Sequence, residues 1–206
     1  MAQLWRWLAT SPVIAVVRSS DAVSEALAAP ARCVLLATGD IASVGSDTHL
    51  FHTRGKIVFL HTDLIAGLGG DQAAVRFIAR RLKPEGILTT HSQLIQAAHK
   101  EGLITIQSLF LLDSLAVKNG LTAVLKSRPA AVHVLPGILP RVIREIKATC
   151  RLPLIAGGLI RSRRDVEEAL AAGAVACATG KTRLWWLGEE LPAGTGAVRE
   201  VVGEEH

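Results

Sequence analysis

The chain is predicted to fold as a small (β/α)8 barrel. Three observations carry the prediction: eight short apolar runs, amphipathic segments between them, and two late runs that each end in glycine. The runs fall at 13–17, 33–37, 57–60, 86–88, 103–106, 131–135, 154–156 and 174–178. Each is brief and almost continuously hydrophobic, the signature of a parallel strand buried on both faces.

Taken in order, the first run ends at Arg18, and the second opens onto a stretch at 40–54 rich in Gly, Ser, Thr and His, where only a short or irregular helix is expected. Helical spacing of apolar residues returns at 71–82, 92–100, 139–149 and 162–172. The last of these has the firmest boundaries, because Ser162-x-x-Asp165 is a capping-box variant and Gly173 stops the helix. Beyond Leu187 the apolar periodicity ends, and Pro192, Gly194, Gly196 and the glutamates read as a flexible terminus. The expected organisation is one barrel domain over 1–187 and an acidic tail over 188–206.

With 206 residues, half of them hydrophobic, the chain can build one large core and little else. No apolar run is long enough to span a membrane, and the opening Met1-Ala2-Gln3-Leu4-Trp5-Arg6-Trp7 is too short and interrupted for a signal peptide, so a cytoplasmic protein is expected. Cys33, Cys150 and Cys177 are expected to be reduced and structural. The net charge is +5, but the tail carries five glutamates against one arginine, which leaves +9 on the body. Such a body suits a polyanionic partner, although a solvated basic surface has the same composition.

In a barrel of this kind the chemistry lies on loops that follow the strands. Pro153-Leu154-Ile155-Ala156-Gly157-Gly158 and Ala174-Val175-Ala176-Cys177-Ala178-Thr179-Gly180-Lys181 place two Gly turns after the seventh and eighth strands, where backbone N–H groups can approach an anion and Lys181 adds a charge. A P-loop is excluded, since Val175 stands where that motif requires glycine. A phosphorylated polyol would suit the ring of loop residues. Arg18, Pro136, Gly137, Gly157, Gly158, Thr179, Gly180 and Lys181 would surround it, and Asp63, Thr90 or Gln107 would take its hydroxyls. His61, Asp63, His91 and His133 offer a metal-binding alternative that is set aside, because a histidine inside a strand is more often packed than metallated. No nucleophile–base set or carboxylate pair is evident, so no catalytic residue, cofactor or metal is assigned.

Several phrases together carry a family resemblance: His61-Thr62-Asp63-Leu64-Ile65-Ala66-Gly67, Ile106-Gln107-Ser108-Leu109-Phe110-Leu111-Leu112-Asp113, Val134-Leu135-Pro136-Gly137, Ala156-Gly157-Gly158-Leu159-Ile160-Arg161 and Leu184-Trp185. Over roughly Pro12 to Trp185 the chain resembles the glycerol-uptake operon antiterminator family. The resemblance implies a (β/α)8 barrel that senses glycerol 3-phosphate and, when loaded, acts on an mRNA leader of glycerol genes. The chain departs from the pattern at four places. It has Thr89-Thr90-His91 where relatives tend to have Ser-Thr-Arg, Gln107-Ser108 for Gln-Arg, His133 for Glu, and Thr179-Gly180-Lys181 for a Thr-Ser pair.

Two basic stripes at helical spacing could track RNA phosphates: Arg76, Arg80 and Lys83, and Arg141, Arg144 and Lys147. With no tyrosine and few aromatics, RNA binding would lean on charge and be salt-sensitive. Trp5, Trp7, Trp185 and Trp186 read either as a homodimer seam or as packing under the barrel. A phosphosugar-type enzyme (isomerase, aldolase or lyase), or a phosphate binder with no RNA role, is the alternative to a regulator.

Overall fold

The computed structural model describes residues 2–189 and 191. Eight parallel strands close into a barrel in chain order: β1 (Val13–Val17), β2 (Cys33–Leu36), β3 (Ile57–His61), β4 (Gly86–Thr89), β5 (Ile104–Phe110), β6 (Ala131–Leu135), β7 (Leu154–Gly157) and β8 (Ala176–Thr179), which returns to β1. The eight runs read from sequence are these strands, two of them with the same ends and the others with ends shifted by up to four residues. The largest shift is in β5, which continues to Phe110 although polar Gln107 and Ser108 interrupt its apolar run. Leu111 N–H then donates to Leu135 O at 2.7 Å, so β5 and β6 stay zipped beyond the last paired residues, Phe110 and Leu135.

The helices α2 (Asp21–Ala28), α3 (Val44–Thr53), α4 (Gln72–Phe77), α5 (Ser92–Lys100), α6 (Ser114–Ser127), α7 (Pro140–Thr149) and α8 (Arg163–Ala171) form the outer layer. Alternation along each strand divides the core in two. Val34, Leu36, Val58, Leu60, Ile87, Val132, Val134 and Ala156 face the helices, while Ile14, Val16, Leu35, Phe59, Leu88, Ile106, Ile155 and Ala178 fill the lumen. The bottom of the lumen is stoppered by α1 (Ala2–Thr10), whose buried Leu4 and Leu8 join the lumen cluster, with Trp5 and Trp7 packed against it. Two of the four tryptophans therefore pack under the barrel. Trp185 is also core: it is fully buried and donates from Nε1 to Thr179 O, whereas Trp186 is more than half exposed.

Two expectations are corrected. The stretch at 40–54 contains an ordinary ten-residue helix, because Val44, Thr48 and Phe51 recur at i, i+4 and i+7 on its inner face and a threonine serves there as an apolar residue. The 71–82 segment is not one regular helix. A π-helical turn occupies Ile78–Leu82 and Lys83 leaves it with φ 54°, so Arg76, Arg80 and Lys83 do not form a single helical stripe. The capping box on α8 is present in full, Ser162 and Asp165 each satisfying the other's backbone. All three cysteines are free and buried, and burial raises the Cys33 and Cys177 thiols to about 12. No helix among the described residues is long and apolar enough to cross a membrane. The expected flexible tail falls almost entirely outside the described residues.

Candidate functional site

At the carboxyl end of the barrel a cavity of about 510 Å³ opens above β8, bounded by the turns after β7 and β8. Gly158, Leu159, Ile160 and Gly180 line it, and Arg18, Arg161 and Lys181 supply its charge. None of these three cations has an ion-pair partner among the described residues, and the lining contains no carboxylate, cysteine or histidine. Arg18 lies across Gly180, whose added Cβ would stand 3.8 Å from Arg18 Cδ. The opposite wall is apolar: Phe110 and Leu112 from the extended β5 edge, with Leu135 and Pro136 after β6.

The turn after β7 is possible because Gly158 takes φ 69°, a left-handed conformation cheap only for glycine; Leu159 follows at φ 60° and is half exposed at the rim. Gly157 answers a different need. A Cβ there would fall 1.8 Å from His133 Nε2, so the imidazole of β6 occupies the space that a side chain on β7 would require. Gly137 is likewise a close-packing residue: its N–H donates to Gly157 O at 2.5 Å and an added Cβ would meet Gly157 N at 2.6 Å. That N–H is committed to the barrel wall.

Of the residues expected to surround a ligand, Arg18, Pro136, Gly158, Thr179, Gly180 and Lys181 line the cavity, and Gly137 and Gly157 support it from behind. Thr179 contributes little polarity, since its hydroxyl donates to Ile160 O and accepts from Lys181 N–H. The expected hydroxyl partners are placed elsewhere. Gln107 points from β5 into the helix layer, where it accepts from Ser127 Oγ and donates to Ser92 Oγ at 2.9 Å, because residue 107 lies one step out of register with the lumen-facing Ile106. Asp63 is spent on β4: Thr89 Oγ1 and Thr62 Oγ1 donate to Oδ1, and Thr90 N–H and Oγ1 donate to Oδ2. Desolvation would raise its pKa, yet these bonds to the charged form together hold the carboxyl below its usual 3.8. Asp63 thus clamps Thr90 in place, and its oxygens are not free for a metal shared with His61, His91 and His133. Among the described residues no group of three or more metal-binding side chains is assembled.

In the sequence Arg161 is visible only as part of a phrase, and His133 only as a metal ligand set aside and as a departure from the family pattern. One inward step below Leu135, His133 is 95% buried in the lumen, with Nδ1 3.5 Å from Ser108 Oγ and Nε2 without a partner. His61, at the end of β3, leaves its buried Nδ1 equally unpaired. Burial drives both imidazoles toward the neutral form. For His133, with His61 and Arg18 adding repulsion, the pKa falls to about 3.

The basic stripes lie on the outer helices. Arg80 pairs with Glu101 at 3.2 Å and Arg141 with Glu145 at 3.0 Å, while Arg144 is exposed and has no ion pair among the described residues.

This architecture has counterparts among known proteins. The family model described as glycerol-3-phosphate responsive antiterminator matches residues 13–185. An uncharacterized protein of Escherichia coli (strain K12), YgcP, is 31% identical over 184 residues, covering 89% of this chain and 96% of that one. The crystal structure of a glycerol uptake operon antiterminator regulatory protein from Listeria monocytogenes str. 4b F2365 is 29% identical with a TM-score of 0.81, over 84% of this chain and 94% of that one. A glycerol uptake operon antiterminator-related protein from Thermotoga maritima MSB8 is also 29% identical, with a TM-score of 0.76 over 85% and 98%. With the family model matched from the first strand through Trp185, the chain belongs to the glycerol-3-phosphate responsive antiterminator family.

Proposed function

We propose that this chain binds glycerol 3-phosphate in the cavity between the β7 and β8 turns and, in the cytoplasm, acts on an mRNA leader as an antiterminator and not as an enzyme. The observation that carries the reading is the cavity lining: three cations and two Gly turns facing one space with no acidic residue. Such a corner favours a phosphate dianion, through charge-assisted hydrogen bonds in a partly desolvated site. The same lining lacks the acid–base pair that an isomerase or lyase would need. RNA would contact the basic face of α7 at Arg141, Arg144 and Lys147. This face is the coherent one, because Arg141, Arg144 and Lys147 share one regular helix, whereas the π turn and the left-handed Lys83 break up Arg76, Arg80 and Lys83.

Titration calorimetry with glycerol 3-phosphate, on the native protein and on Lys181→Ala, tests the ligand. The substitution should weaken binding by about 1–3 kcal/mol; unchanged affinity would place the phosphate elsewhere. A gel shift on a glycerol-gene leader, with and without ligand and at two salt concentrations, tests the output. Retention of the RNA that is ligand-dependent and falls steeply with salt is expected. Turnover of glycerol 3-phosphate or of phosphorylated trioses would overturn the regulatory reading.

A further inference from the structure

With Asp63 and Gln107 committed to the scaffold, the groups that recognise the uncharged end of the ligand must lie elsewhere, and the lumen beneath the cavity holds the unused ones. We propose that His61 and His133 are the hydroxyl receptors of this site, reading a vicinal diol on a small phosphomonoester through Nδ1 of His61 and Nε2 of His133. The proposal rests on the ligand reading above and adds to it the determinant of polyol specificity.

Three observations converge on these two residues. Among the described residues only three buried side-chain polar atoms lack a hydrogen-bond partner, and two of them are these nitrogens, the third being Ser11 Oγ. A buried polar atom without a partner is costly, so such an atom in the lumen below a ligand cavity marks a group awaiting one. The strand register then places both rings on the lumen side. His133 lies two residues below Leu135, and Leu135 lines the cavity; His61 continues the inward-facing series of Ile57 and Phe59. Finally, Arg18 links the two levels, because it lines the cavity and stands close enough to both imidazoles to disfavour their protonation. A neutral imidazole has one donor and one acceptor nitrogen, and a hydroxyl can serve either. A diol therefore matches both unpaired atoms whichever tautomers the rings adopt. A carboxylate, which only accepts, does not.

The test compares glycerol 3-phosphate with n-propyl phosphate, which keeps the phosphate and lacks both hydroxyls, by calorimetry on folded, full-length protein. The native protein should prefer glycerol 3-phosphate. His133→Asn, which removes the atom at Nε2, and His61→Gln, which removes the one at Nδ1, should each lower affinity for glycerol 3-phosphate by about tenfold and leave n-propyl phosphate unaffected. His133→Gln and His61→Asn, which restore an amide near the lost nitrogen, should recover the preference. If His133→Asn does not fold, His61→Gln decides the matter. Equal binding of both phosphates by the native protein, or a preference unchanged in the variants, overturns the proposal and leaves the histidines holding buried water only. Failure of the native protein to bind either phosphate overturns the ligand reading itself, and this proposal with it.

Discussion

Acid should first destabilise this barrel through His133. The imidazole is packed in the lumen against Gly157, and burial, reinforced by the neighbouring His61 and Arg18, moves its pKa from 6.5 to about 3. Because the folded state then binds fewer protons than the unfolded chain, its stability falls as pH drops below about 6.5, and the loss is complete only near pH 3. Over that whole window the displacement corresponds to about 4–5 kcal/mol, and at pH 5.0 to about 2 kcal/mol. Asp40, Asp63 and Asp165 are held below 3.8 by hydrogen bonds to their ionised forms, so they remain charged at pH 5.0 and contribute no slope there. His61 moves in the same direction but is common to both proteins in the comparison. Urea unfolding at pH 7.5 and 5.0, on the native chain and on His133→Gln, isolates the effect. The native protein should lose about 2 kcal/mol more than the variant on acidification. Parallel losses in the two proteins would refute the reasoning.

Other expectations follow from the same geometry. Gly157→Ala should destabilise by about 3 kcal/mol, since its methyl would sit on the His133 ring. Much of that cost should disappear in the double variant with His133→Ala, as a thermal-unfolding cycle would reveal; additive losses would contradict the packing. Asp63→Asn should cost about 1–3 kcal/mol at pH 7, because an amide cannot accept all four bonds that the carboxylate accepts. That penalty should shrink as pH falls through the lowered carboxyl pKa, which unfolding curves at pH 7 and pH 3 would measure.

The fold was legible because parallel strands buried on both faces must be apolar throughout, and all eight announce themselves. What escaped was decided by tertiary neighbours. The helix Val44–Thr53 hides its inner face behind a threonine, and the π turn after Phe77 has no compositional signal, so regular spacing wrongly united Arg76 with Lys83. In the site, residues whose backbone forms the pocket, such as Gly158 and Gly180, could be read from turn chemistry. Side-chain roles depended on strand parity. Gln107 and Thr179 follow apolar runs, as polar site residues are expected to, but each is one position out of phase with the lumen. His133, in phase, looked like core because its neighbours in sequence are apolar. Counting inward positions from a lumen residue such as Ile106 or Ile155 would have separated the two groups.

The reach of β5 past β4 makes the mouth of the barrel lopsided. Phe110 and Leu112 rise as a greasy parapet on one bank while Arg18, Arg161 and Lys181 gather on the other. A small anion settling between the banks is shielded on the parapet side from the solvent that would otherwise dilute its attraction to the cations, so a short hydrocarbon ridge sets the strength of an electrostatic grip it never touches.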